Sequence, residues 1–143
     1  MIKGVVMIML ATETFSDIKT HSVSGIRIIA YGILGIVLNL VLYYQSVWSI
    51  IGGVAVGGVI LGYAAVTKGS IGIGDGLIFL CLGIYLGLSD NLRLLFFSLL
   101  SAAIIGGIYV LVRKRSIKTQ IPFMPYVLGA YLIMTAGEVL LRN

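Results

Sequence analysis

Five acidic residues lie in a chain that is 59% apolar: Glu13, Asp17, Asp75, Asp90 and Glu138. A carboxylate near hydrocarbon is costly, so each needs a structural or chemical reason to be there. Asp17 closes the first apolar run. Asp75 opens the fourth, within Gly72-Ile73-Gly74-Asp75-Gly76. Two carboxylates brought within a few ångströms cannot both ionise easily, so the pair tends to hold one proton while one member stays a base. Such a pair can activate a water and protonate a leaving amine. The glycines at 72, 74 and 76 would let another backbone, such as an extended substrate, come close to Asp75. Other readings stay open at this level. Asp75 fits a helix N-cap, Asp17 could pair with Lys19 at the membrane surface, and both could bind cations or protons in a small transporter or channel subunit.

The remaining reactive side chains offer less. Glu13 stands four residues before Asp17, on the same helix face one turn deeper, where it can tune Asp17 or bond a neighbouring helix. Asp90 reads as the N-cap of the helix that follows it. Glu138 has Arg142 at i+4, the favourable orientation for a helical ion pair. His21 is the single histidine and Cys81 the single cysteine. No disulfide, multi-cysteine zinc site or other metal site is expected from these, and no cofactor. The serines have no histidine placed to activate them. Gly69-Ser70 lacks the lysine of a phosphate-binding loop, and Gly72–Gly76 is a poor dinucleotide fingerprint.

The elements that must hold these groups follow from composition. Only 10% of the 143 residues are charged and the mean hydropathy is +1.12, whereas soluble domains carry roughly 25% charged residues. That excludes a soluble enzyme and a disordered tail. A bilayer-spanning helix takes about 20 residues, leaving room for about six spans and almost nothing else. Six apolar runs are present, about 2–15, 28–44, 47–66, 73–88, 92–112 and 123–141, separated by polar or turn residues at 16–25, 45–46, 67–70, 89–91 and 113–122. In lipid these must be helices, because each segment has to satisfy its own backbone. The expectation is an all-α bundle forming one membrane-embedded domain over residues 1–143. Lys3 before an apolar run also resembles the start of a signal peptide, but Thr12-Glu13-Thr14 offers no small-x-small cleavage pattern.

Basic residues orient the bundle. Lys19, Arg27, Lys68, Arg113, Lys114, Arg115 and Lys118 fall in odd-numbered loops, and Lys3, Arg93 and Arg142 on the other side. The positive-inside rule places the odd loops in the cytoplasm and both termini outside. Span parity then puts Asp17 and Asp75 near the same, cytoplasmic face, with Asp90 and Glu138 across the bilayer. The formal charge of +5 thus reports topology and lipid headgroups as partners, not nucleic acid. Glycine pairs at i, i+4 (Gly53/Gly57, Gly58/Gly62, Gly72/Gly76, Gly83/Gly87) point to close helix packing, and also fit a homo-oligomer contact.

Three segments together resemble type IV prepilin peptidases, GxGD intramembrane aspartic proteases. Gly72 to Asp75 is similar to their GxGD signature. Phe15-Ser16-Asp17-Ile18-Lys19 looks like their first motif, an Asp-x-Lys or Asp-x-Arg following the first catalytic helix. Ile121-Pro122-Phe123-Met124-Pro125 looks like their Ile-Pro-Phe-x-Pro stretch. The order and spacing of the three cover nearly the whole chain. The resemblance implies an aspartic endopeptidase that removes a short basic leader, just before the hydrophobic helix of a prepilin-like, preflagellin-like or pseudopilin-like subunit. The cut would fall at the cytoplasmic face of the cell membrane. It implies Asp17 and Asp75 as the catalytic pair, with Gly72, Gly74, Gly76, Lys19, Pro122, Phe123 and Pro125 as motif residues around the approach of the substrate. The chain departs from the pattern in two places. Val23-Ser24-Gly25 stands where many members have Ile-Pro-Asn or Ile-Pro-Asp, so a looser turn is expected. The four-cysteine zinc domain that longer members link to N-methylation is missing, which implies cleavage alone.

Overall fold

The computed structural model describes residues 1–42, 44–67, 72–113 and 122–141. The helix α1 runs Ile2–Thr20, one turn past Asp17. It stops at His21, whose backbone turns left-handed (φ 48, ψ 33) and donates its N–H to Asp17 O at 2.9 Å. The next helices are α2, Gly25–Leu42, and α3, Val47–Val66, the latter capped by Ser46, which accepts the Ser49 N–H. A long helical stretch follows: α4, Ile73–Ser101, a π-helical turn at Ala102–Gly106, and α5, Gly107–Arg113. The last helix, α6, spans Met124–Leu141. Among the described residues there is no strand.

Four helical stretches are long and apolar enough to cross a membrane: Gly25–Leu42, Val47–Val66, Ile73–Val112 and Met124–Leu141. The molecule is an all-α, multi-pass membrane bundle. The shorter apolar reach of α1 reflects its four charged residues, Lys3, Glu13, Asp17 and Lys19, yet Val6, Met9 and Leu10 are fully buried, so α1 is part of the core.

Long continuous helices number about five, not six, because the fourth and fifth apolar runs join. The separating loop expected at Ser89-Asp90-Asn91 is helical, and the break falls at Gly87 alone (φ 71, ψ −171). Glycine has no β-carbon to obstruct that backbone, so one residue replaces a loop. The chain doubles back there. Asn91 Nδ2 donates to Phe79 O at 3.0 Å, although twelve residues of straight helix would separate the two by about 18 Å. Gln45 Nε2 takes Leu86 O and Ser49 Oγ takes the Leu88 N–H, which satisfies backbone groups freed at the corner. Asn91, expected at the outer surface, is instead fully buried. Its second Nδ2 hydrogen reaches Gly53 O on α3 at 2.9 Å.

The closest packing is between α3 and the first leg of α4. A β-carbon on Gly53 would come within 2.5 Å of Gly83 O, and one on Gly57 would overlap the Leu80 backbone. These two i, i+4 glycines therefore serve helix contact, as small residues do in lipid. Gly58 and Gly62 differ: among the described residues nothing lies within 4 Å of a β-carbon at either position. Outward faces carry large apolar groups such as Ile26, Trp48, Val59 and Ile133, as hydrocarbon contact requires.

Candidate active site

Helices α1 and α6 lie antiparallel and are tied at both ends. Asp17 and Lys3 are fourteen residues apart on α1, as are Met124 and Glu138 on α6. At one end Asp17 Oδ2 accepts the Met124 N–H at 3.1 Å. At the other, Lys3 pairs with Glu138, and Tyr131 Oη donates to Lys3 O at 3.1 Å. The expected pairing of Glu138 with Arg142 has no counterpart to compare, since Arg142 lies outside the described residues, as do Lys68, Lys114, Arg115 and Lys118. Asp90 shares a small cleft with Lys3, Tyr44, Tyr131 and Glu138. Asp90 and Glu138 thus sit at the end of the bundle opposite Asp17.

Asp17 is nearly buried, 9% exposed, in the last turn of α1. Its partner N–H is the first of α6. Helix starts leave N–H groups without intrahelical acceptors, and three features of 122–126 deal with them. Asp17 accepts from Met124, Pro125 has no N–H to satisfy, and Tyr126 N–H closes a tight turn on Phe123 O at 3.0 Å. The Phe123 ring packs against Phe79 with centroids 6.4 Å apart. Phe79 lies one turn beyond Asp75 on α4, so the Pro122–Pro125 segment touches the supports of both aspartates.

Asp75 is half-buried in the first turn of α4. It is not the N-cap. That place belongs to Gly72, and Asp75 occupies the third helical position with its N–H bonded to Gly72 O at 3.1 Å. Its carboxylate folds back toward the Gly72 backbone, as the acidic member of a capping box does, and Oδ2 would lie 3.1 Å from a β-carbon there. Asp75 and Asp17 are at the same end of the bundle, since the segment that bonds Asp17 packs Phe123 on Phe79, one turn from Asp75.

The glycines flanking Asp75 have separate tasks. A β-carbon on Gly74 would come 2.9 Å from Val23 Cγ2, and one on Gly76 would come 2.7 Å from Leu61 Cγ. Those two sides are filled by the chain itself. Gly72 is exposed, and among the described residues the Asp75 carboxylate is what lies beside it. Lys19 does not pair with Asp17. It is exposed, with Nζ 6.0 Å from the centroid of the Phe15 ring.

Glu13, fully buried, does bond a neighbouring helix. Arg27 Nε donates to Oε1 at 2.8 Å and Arg27 Nη2 to Oε2 at 3.1 Å. Cys81 packs in the core, its thiol 3.6 Å from Met9 Sδ. Among the described residues no group of His, Cys, Asp and Glu could hold a metal ion.

Sequence reasoning missed three participants. Met124 acts through its backbone, so its side chain gives no signal, although Pro125 beside it marks a helix start. Arg27 counted only as a topological charge. Asn91 read as a turn residue because Ser-Asp-Asn is turn-like.

No curated protein and no solved structure matches the chain. The sequence model of the type IV leader peptidase family matches residues 4–111, which include both aspartate motifs and stop short of the Pro122–Pro125 stretch. With most of its length covered, this chain belongs to the type IV leader peptidase family.

Proposed function

We propose that the protein is an aspartic endopeptidase in which Asp17 and Asp75 form the catalytic pair, and that it removes the basic leader of prepilin-like subunits at the cytoplasmic face of the cell membrane. The observation that carries this reading is that two carboxylates from distant segments lie at the same end of the bundle, Asp17 bonded to the start of α6 and Asp75 one turn from Phe79, on which Phe123 of that same segment packs. Among the described residues neither has a cationic partner. In this mechanism one carboxylate takes a proton from water as it attacks the scissile carbonyl, and the other protonates the departing nitrogen. The Met124 N–H holds Asp17 Oδ2 and leaves Oδ1 for proton exchange. Partial exposure of Asp75 admits water, and the open side of Gly72 is where an extended substrate backbone approaches.

Purified protein in detergent should clip a prepilin-type leader peptide just before its hydrophobic segment. Failure to cleave any such peptide, from well-folded protein, would remove the proposal. Orientation is tested separately. A cysteine at Ser116 should be shielded from an impermeant thiol reagent in intact cells, while one at the exposed Ser46 should label. Equal labelling at both would overturn the assignment of the aspartates to the cytoplasmic side.

A further inference from the structure

The short segment from Val23 to Arg27 touches the surroundings of both aspartates. At its start, Val23 fills the space beside Gly74, the residue before Asp75. One turn on, Arg27 grips Glu13 with two parallel hydrogen bonds, 2.8 and 3.1 Å. Glu13 is one turn before Asp17 on the same face of α1. Glu13 has no exposed surface, whereas the Arg27 side chain is 44% exposed, so the pair reaches from the bundle edge into its interior.

Among the described residues few other polar links join α1 to α2. Their backbones stay apart, and the other described side-chain link between the two helices is Thr12 Oγ1 to Tyr31 Oη, at 3.4 Å. Meanwhile α2 is fixed to α4 through Val23 on Gly74, Ile28 O on the Cys81 thiol at 3.8 Å, and Tyr85 Oη on Tyr31 O. Arg27 therefore links the Asp17 helix to the Asp75 helix through α2, beside the Cys81–Met9 contact and the start of α6, which bonds Asp17 and packs Phe123 on Phe79. A bidentate arginine–carboxylate pair fixes direction as well as distance, which a lysine at the same place would not.

We propose that Glu13 and Arg27 are positioning residues that set the spacing of Asp17 and Asp75, touching neither substrate nor the reacting atoms. The inference rests on the peptidase reading given above, and the experiment separates the two. Wild type, Asp75→Asn, Glu13→Gln, Arg27→Ala, Arg27→Lys and the double variant Glu13→Gln/Arg27→Gln are compared for leader-peptide cleavage and for thermal unfolding in detergent. In parallel, cysteines replacing Asp17 and Asp75 are joined with a short bis-maleimide, with and without Arg27→Ala.

Misplacing a carboxylate by about 1 Å is enough to lower kcat by roughly 100-fold. Glu13→Gln and Arg27→Ala should therefore each lower kcat by roughly 10- to 100-fold, with KM within about threefold of wild type. Arg27→Lys should recover part of the loss. The double variant should be no worse than the poorer single, because the two side chains act as one unit. Cross-linking yield should fall several-fold in the Arg27→Ala background. Unchanged kcat together with lower thermal stability would make the pair a structural tie only. A raised KM at constant kcat would make Arg27 a substrate contact. Either result overturns the inference. Should wild type cleave no leader peptide, the peptidase reading fails by itself, and cross-linking then decides whether the brace exists: undiminished yield refutes it.

Discussion

The two ends of the bundle carry similar inventories of acids and use them differently. At one end Glu138 pairs with Lys3 and Asp90 with Arg93, in partly exposed contacts. At the other, Asp17 accepts a backbone N–H and Asp75 folds toward the Gly72 backbone, with no cation on either among the described residues. The nearest basic side chain in sequence, Lys19, lies over Phe15. An acid matched by a cation is committed to its charged form and serves as a tie. On the proposed reading, acids without a cation are left for proton exchange. Glu13 lies between these cases, buried near the second end yet spoken for by Arg27, and so belongs with the ties.

This contrast can be attacked from either side. The largest effect is expected at the Asp17 end. Asp17→Asn should abolish leader cleavage while the protein still inserts, and adding Asp75→Asn should make it no worse, since a dyad works only as a unit. Asp17→Glu should still lose roughly 100-fold, because one extra methylene displaces the carboxylate by about 1 Å or more. Additive losses in the double variant, read from initial cleavage rates, would mean that the two aspartates act independently.

A second large effect concerns the helices that carry the site. Gly57→Leu should sharply reduce the folded fraction recovered in detergent, because any β-carbon there overlaps the Leu80 backbone. Gly58→Ala, one residue on and facing open space, should leave recovery unchanged. Equal behaviour of the two would show that α3 and α4 do not pack through Gly57.

The smallest effects are expected at the opposite end. Asp90→Asn and Glu138→Gln each break an exposed ion pair, which contributes roughly 0–1 kcal/mol. Thermal unfolding should shift little and cleavage should stay near wild type. Loss of cleavage in either well-folded variant would erase the distinction between the two ends.

Much of this was legible in the sequence because lipid leaves few options. Apolar runs had to be helices, and α3 begins and ends where its run does, Val47 to Val66. Span parity alone put Asp17 and Asp75 at one end and Asp90 and Glu138 at the other. The illegible parts share a physical cause: each depends on a partner remote in sequence. Ser89-Asp90-Asn91 carries turn-forming residues, yet the turn is made two residues earlier, since Gly87 can take a positive φ and Asn91 is needed inside to hold Phe79 and Gly53. Asp75 preceding an apolar run suits an N-cap, but Gly72 took that place and left Asp75 to fold back over it. The Met124 N–H bond to Asp17 joins residues 107 apart, and no local pattern announces it. The Gly72–Gly76 cluster gave its existence but not its division of labour, which depends on Val23 and Leu61 arriving from other helices.

In the proposed mechanism Asp75 supplies or accepts a proton in peptide hydrolysis. The most direct test is leader cleavage of a prepilin-like substrate by Asp75→Asn at matched membrane abundance. The substitution keeps the shape of the side chain, and its amide oxygen can still lie toward Gly72, so the helix start should survive while proton exchange is lost. The expected result is no detectable cleavage by a correctly inserted protein. Cleavage within a few-fold of wild type would contradict it and reduce Asp75 to a helix-capping residue.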